Sequence, residues 1–495
     1  MRRPAATVIA LALCLLAALG SAGANASRFD VPTVLGVQAG AFSAVVKWRV
    51  DDAARFVVEV GADERYGVWS PTTVTQDAAA GRTTLTGLEP ATTYRFRVVA
   101  RWRNGARAES KGSFRTDAWP SSLSATVAPA AASSSSSDPL SPFVITPAVP
   151  PGLVGGSTGS PSPSSSIPSS AAPLVSSAPL QIDGVPLFPR MVWKQCPTYY
   201  PTSVAAGINV FLGSSCSGPG EQLAKLAGQA ASTVDASTPG VSGPGLIGWH
   251  FQDEADMSVG NAANLPDPSG GGRVTFLTLT DHFSSRAAPP PDGKKIYAGF
   301  LAKADVIGFD TYPLEVRCTI AQIDNVYWMQ RELVQLAQGK PTFQWIEAAR
   351  MEHCPTGDPT PTDVTAETWL AIAGGARGIG YFPDYWPEEV RNQVTKTNRE
   401  IVALAPALLD QVVNATWSAA NPVRVGVRRH NGALYVIAVN TSTAPATASF
   451  TVPGLAGRVL HVFEDGRTVR PYGDLTVDKL PGLGVAVYVA APAGW

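Results

Sequence analysis

A surplus of basic charge is what this 495-residue chain lacks: 38 Lys and Arg face 39 Asp and Glu, and charged residues make up only 16% of the chain. No block of one sign breaks that balance, so nothing points to a polyanion such as nucleic acid. Cysteine is scarce, five residues in all, and none forms a CxxC pair. The wide spacings argue against a zinc site. Histidine also numbers five, with no HxH or HExxH spacing. No glycine-rich phosphate loop follows an early strand, which argues against a doubly wound nucleotide-binding sheet. Past the first twenty residues, no apolar stretch is long enough to cross a membrane.

The chain opens with Arg2 and Arg3, an apolar run from Thr7 to Leu19, and the small-residue site Ala24-Asn-Ala26. This is the layout of a secretory signal, with cleavage expected after residue 26. The apolar run is short for a membrane anchor. Cleavage would remove Cys14 and leave Cys196, Cys216, Cys318 and Cys354. An even number in an exported chain suggests disulfides. Sequence order favours Cys196–Cys216 and Cys318–Cys354, although four cysteines allow three pairings.

Length and patterning divide the rest into four stretches. Residues 27–117 carry short strands of period 2, one face buried and one wet. Leu88-Glu-Pro-Ala-Thr-Thr-Tyr94 resembles the tyrosine corner of a fibronectin type III domain, and Trp48 sits where a core tryptophan would. The resemblance implies a β-sandwich acting as a spacer or weak binding surface. Tyr66 and Trp69 read as core aromatics before sugar-stacking ones. Residues 118–180 hold the run Ser133–Ser137, many prolines and almost no charge, and read as a linker without fixed structure. Residues 415–495 return to β patterning and read as a C-terminal antiparallel sandwich that stabilises its neighbour. Asn414-Ala-Thr416 and Asn440-Thr-Ser442 fit the glycosylation pattern.

Between them, residues 181–414 alternate apolar strands with amphipathic helices, the pattern of βαβ units. Seven strands are clear, and an eighth is expected between Ala230 and Gly245, where the pattern is weak. About 230 residues suits a (β/α)8 barrel.

Two runs in that stretch have one form. Leu246-Ile-Gly-Trp-His-Phe-Gln-Asp-Glu-Ala-Asp256 and Pro341-Thr-Phe-Gln-Trp-Ile-Glu-Ala-Ala-Arg350 each pass from an apolar strand to acids. In a parallel barrel the C-terminal rim of the strands carries the chemistry. Two carboxyls on opposite sides of a glycosidic bond are what its hydrolysis needs: one protonates the leaving oxygen, the other captures the anomeric carbon or activates water. Together with Leu187–Trp193, Gly207–Val210, Asp305–Pro313 and Gly375–Phe382, these runs resemble retaining glycoside hydrolases of the large (β/α)8 clan. The resemblance implies Glu254, ending the fourth strand, as acid/base and Glu347, ending the seventh, as nucleophile, facing each other across one cleft. Asp253 stands where the clan has Asn. It can accept but not donate a hydrogen bond to a sugar hydroxyl, and its charge should raise a neighbouring acid.

Around this pair, Asp281, His282, Asp310 and Tyr312 are expected at strand ends as hydroxyl-binding or positioning groups. Trp193, Trp249, Trp345, Tyr381 and Trp386 are candidate stacking platforms, with Trp386 preferred. Arg350 holds a substrate group or pairs with Glu352. The expectation is a secreted monomer cleaving a β-linked polysaccharide or oligosaccharide, with no cofactor and no metal. The alternatives are a non-catalytic carbohydrate-binding or cell-surface protein on the same barrel, and a metal-dependent hydrolase using His250, Asp253 and His282.

Overall fold

The computed structural model describes residues 31–69, 78–127 and 176–494, apart from 239, 269–272, 289–292, 352, 356, 384 and 419. The expected signal segment and most of the expected linker lie outside these residues.

The centre is a closed parallel barrel of eight strands: β1 (Arg190–Trp193), β2 (Val210–Leu212), β3 (Ala231–Asp235), β4 (Leu246–His250), β5 (Val274–Leu279), β6 (Val306–Asp310), β7 (Thr342–Glu347) and β8 (Gly378–Phe382). β8 pairs back onto β1 through Met191 and Gly380. The weak strand is β3, where expected. Its residues Ala231-Ser-Thr-Val-Asp235 are small or polar, so the pattern is faint, yet all but Asp235 are buried.

Packing inside the barrel is settled by glycines beside aromatics. Phe343 and Trp345 of β7 point inward among Met191, Val210, Ile247 and Phe276. A Cβ on Gly308 of β6 would lie 2.2 Å from the Phe343 ring, and one on Gly380 of β8 would lie 2.1 Å from Trp345. Both glycines are register partners of those rings. Missing side chains on the flanking strands therefore make room for two large ones between them.

The N-terminal end of the barrel meets a three-stranded antiparallel sheet, Ala125–Val127, Leu180–Ile182 and Val185–Leu187. Its Leu180, Ile182 and Leu187 join the barrel's interior cluster, as does Trp119, packed edge-on against Phe42. This corrects the expectation for 118–180. Both ends of that stretch are structured, because a few apolar residues there bury themselves against the barrel.

The N-terminal unit is antiparallel throughout. Its strand Ser43–Gly61 is long enough to pair first with Thr33–Ala39 and Ala78–Thr86 and then with Thr93–Arg101. The Tyr94 hydroxyl accepts a hydrogen bond from Glu89 N–H at 2.9 Å. Tyr66 is buried under Arg97, whose guanidinium lies 4.7 Å from the ring centre. The unit is docked, not tethered, because the Glu89 carboxylate accepts from Arg190 of β1 and from Asn209.

The C-terminal unit packs a six-stranded antiparallel sheet against a three-stranded one. One continuous apolar cluster joins it to the helices Pro361–Gly374 and Glu388–Leu408. Buried Arg428 donates to the carbonyls of Ile372 and Leu408 across that seam. A Cβ on Gly426 would meet the Ala373 backbone at 2.5 Å. Asn440 is fully buried and donates to two backbone carbonyls, so its glycosylation pattern is not presented at the surface.

Candidate active site

The mouth of the barrel is built from strand ends. A register shift between Ser232 and Thr233 marks a bulge, with Ser232 opposite Leu246 and Thr233 opposite Gly248. The extra residue reverses the facing of the residues after it. Ile247 belongs to the interior cluster, whereas Trp249 packs in the layer between strands and helices. His250 therefore turns inward, edge-on to Trp193 at 5.2 Å, with Nδ1 2.9 Å from Thr233 Oγ1. Burial pushes its pKa down to about 3, so it is neutral. Trp249 is thus corrected from sugar platform to core residue.

Beyond β4 the chain turns sharply. Glu254 is exposed and occupies the left-handed region, φ 45°, at the start of the short helix Ala255–Ser258. Asp256 anchors that turn, accepting from the N–H and hydroxyl of Thr280 at 2.8 and 2.6 Å and from Tyr297 Oη at 2.9 Å. Lys194, just after β1, is also left-handed at φ 37°. Two bulky residues in that region cost about 1–3 kcal/mol each, and such strain gathers at functional positions. The Lys194 ammonium lies 5.1 Å from the centre of the partly exposed Trp193 ring.

Acids crowd this mouth. Asp253 is pushed up to about 6 by burial and then by the Glu254 charge, with Lys194 opposing. Asp310, at the end of β6, is raised well above the usual carboxyl range by burial, then by Glu254 and Asp253. Tyr312 is 9% exposed, rests on Phe382 at 6.1 Å, and is raised by burial and by Asp310, Asp253, Glu347 and Glu254. Asp281 is tied up, ion-paired with Arg317 and accepting from the Thr311 hydroxyl at 3.1 Å. His282 is partly buried in the turn after β5. Two disulfides brace the same rim. Cys196–Cys216 joins the segments after β1 and β2, and Cys318–Cys354 joins those after β6 and β7.

Glu347 does not stand opposite Glu254 across an open cleft. It has no exposed surface, and its carboxylate accepts from the N–H groups of Leu314 and Glu315 at 2.9 and 2.8 Å. The segment after β6 folds over the end of β7 and captures the side chain. Three aromatic expectations change too. Tyr381 faces the helices and donates to Asn398 at 3.1 Å. Trp386 is buried in that layer and donates to Ser203 Oγ at 2.9 Å. Trp345 is inside the barrel, 2% exposed and bonded to Thr278, below Trp193. Among the described residues no three of His, Cys, Asp and Glu form a metal-holding group, so His250, Asp253 and His282 do not make the triad the metal reading needs. The Arg350 backbone N–H bonds Asp358, and Glu352 lies outside the described residues.

Sequence reasoning passed over Lys194 and Tyr385. Tyr385, in the loop after β8, is 42% exposed with its hydroxyl on Asp358. Neither lies in a periodic run, and the sole signal for them was a position next to a strand end.

No family model matches the chain, and no curated protein does. Among solved structures, the chain is similar to a GH30 endoxylanase from Clostridium papyrosolvens C71 at 14% identity and TM-score 0.37, covering 61% of this chain and 96% of that one. It is similar to α-galactosidase I from Mortierella vinacea at 11% identity and TM-score 0.41, covering 62% and 97%. A cyclomaltodextrinase aligns at 10% identity and TM-score 0.40, covering 91% and 97%. Likeness at this level carries no argument about this chain, whose barrel stands on its own strand pairing.

Proposed function

We propose that this protein is a glycoside hydrolase whose reacting carboxyls are Asp310 and Glu254. One observation carries the reading: Asp310, ending β6, and the Asp253–Glu254 pair, just past β4, lie at the same barrel mouth as the partly exposed Trp193 ring, and the charges of the pair help to keep Asp310 above the usual carboxyl range. A group of acids with one member kept protonated is the arrangement that glycosidic cleavage needs. Asp310 gives its proton to the leaving oxygen. The Glu254 carboxylate attacks the oxocarbenium-like anomeric carbon as the leaving alcohol departs, forming a glycosyl ester; water, giving a proton to Asp310, then displaces Glu254, and the two inversions give net retention. Asp253 accepts from a sugar hydroxyl, and Trp193 supplies an apolar face for the ring's C–H groups. The acid excess favours neutral or amino sugars over uronates. Export is part of the proposal, supported by the two disulfides. So is a fibronectin type III-like N-terminal unit, supported by the Tyr94 corner.

A second reading, a glycan-binding barrel without turnover, is favoured by the sealed Glu347 carboxyl. Hydrolysis of a panel of aryl glycosides and polysaccharides separates the two. Asp310→Asn and Glu254→Gln should each lower turnover by about 10²–10⁴-fold, and the first-formed anomer by proton NMR should keep its configuration. If the wild type and both variants bind glycan yet hydrolyse equally little, the enzymatic reading fails.

A further inference from the structure

Glu347 does not stand alone behind the rim. Glu367, on the helix Pro361–Gly374, is also fully buried, and among the described residues none donates a well-formed hydrogen bond to either of its carboxyl oxygens. The group in reach is the Glu347 carboxyl, with the Glu347 backbone N–H behind it. The charges that bear most on the two are themselves acidic. Glu315, buried and accepting from Met351 N–H at 2.7 Å, acts on Glu347. Asp363, held by the N–H and hydroxyl of Thr360, acts on Glu367. Tyr312, on the segment after β6, feels the Glu347 charge.

Two carboxylates cannot hydrogen-bond each other, because each offers only acceptors. With both side chains fully buried, two like charges in contact would cost far more than either could recover from its surroundings. A carboxylic acid donating to a carboxylate meets both difficulties. Glu347 already receives two backbone N–H groups and is the better-served anion, which leaves the proton on Glu367.

We propose that Glu347 and Glu367 share one proton, and that this proton-bridged pair is the clasp that positions the segment after β6, and with it Asp310 and Tyr312. The links are short. Glu347 grips the amides of Leu314 and Glu315. Tyr312 lies two residues before Leu314, and Asp310 ends the strand that feeds it. Past the grip, Cys318 fixes the segment to Cys354, and Glu315 fixes it to Met351. These are positioning residues. The effect on the site rests on the glycosidase reading above, but the clasp itself does not.

Proton linkage sets the sign. Both carboxyls are raised by burial, so the folded chain holds a proton that the unfolded chain releases near the ordinary glutamate value of about 4.3. Stability from the clasp is therefore full in acid and is lost as pH rises. Thermal unfolding of the full chain from about pH 5 to about pH 9, with hydrogen exchange at the Leu314 and Glu315 amides, tests this. In the wild type the melting temperature should fall by several degrees across that range, and exchange of the two amides should quicken beyond the intrinsic base-catalysed rise. Glu367→Gln keeps a donor but carries no proton to lose, so both trends should flatten. Parallel curves for wild type and Glu367→Gln would overturn the proposal. Should that variant fail to fold, infrared difference spectra of the Asp310→Asn variant, which lacks the rim's other strongly raised carboxyl, decide: a buried protonated-carboxyl band that bleaches with the melting-temperature loss supports the clasp, and its absence defeats it. None of these readouts uses hydrolysis, so failure of the glycosidase reading would leave them unchanged.

Discussion

Glu89 and Arg190 form an ion pair 2.9 Å long, with side chains only 5% and 3% exposed. They come from the N-terminal sheet and the first barrel strand, and Asn209 and the carbonyls of Gly207 and Phe188 fill the remaining valences. A buried pair is weak evidence of net stability, but breaking it leaves an uncompensated charge. Glu89→Ala should therefore destabilise the chain by about 3–5 kcal/mol, read by urea unfolding. Adding Arg190→Met should restore part of the loss. Equal losses in the single and double variants would show that the charge is not what matters.

Tyr385 and Trp386 are neighbours with opposite surroundings, one exposed and one buried. Tyr385→Ala should weaken glycan binding by calorimetry while leaving the melting temperature nearly unchanged. Trp386→Ala should cost about 3–5 kcal/mol of stability through the loss of core packing and of the bond to Ser203. A Tyr385 variant with full affinity would exclude it from the glycan path.

The acids at the mouth set a pH profile. Asp310 and Asp253 both hold protons above the usual carboxyl range, Asp253 to about 6. Activity that needs a protonated Asp310 should fall on the alkaline side as that proton leaves. Asp253→Asn removes a neighbouring negative charge, so the alkaline limb should move to lower pH. The same raised values mean that the stability tied to these protons is present in acid and lost as pH rises. An unmoved limb in Asp253→Asn would disconnect Asp253 from the acid.

Cys318–Cys354 closes a loop of 36 residues that spans the segments after β6 and β7. Cys318→Ser with Cys354→Ser should cost about 2–4 kcal/mol and should loosen the β6 segment first. The check is hydrogen exchange, where amides at 311–318 should quicken before those of β7. Uniform loosening would mean that the bridge acts on the whole fold and not on the rim.

Much of the architecture is legible in the sequence because it arises from short-range patterning. Alternating strands and helices called for a barrel, the gap in the count called for a strand before Gly245, and β3 lies there. Of the three possible cysteine pairings, the structure has the one favoured by chain order. The acids that meet at the mouth, Asp253, Glu254 and Asp310, were all visible as strand-end residues.

Side-chain direction at the rim was not legible. Period-2 counting from Ile247 turns Trp249 inward, but one extra residue in β4 turns it out and brings His250 in. Glu347 ends its strand as expected, yet the fold of a separate loop decides that its carboxyl meets two amides and Glu367, not a sugar. Local sequence fixes periodicity, because that is a property of one strand's backbone. Which group a strand-end side chain reaches depends on loops that come together only when the barrel closes, and no spacing along the chain encodes that meeting.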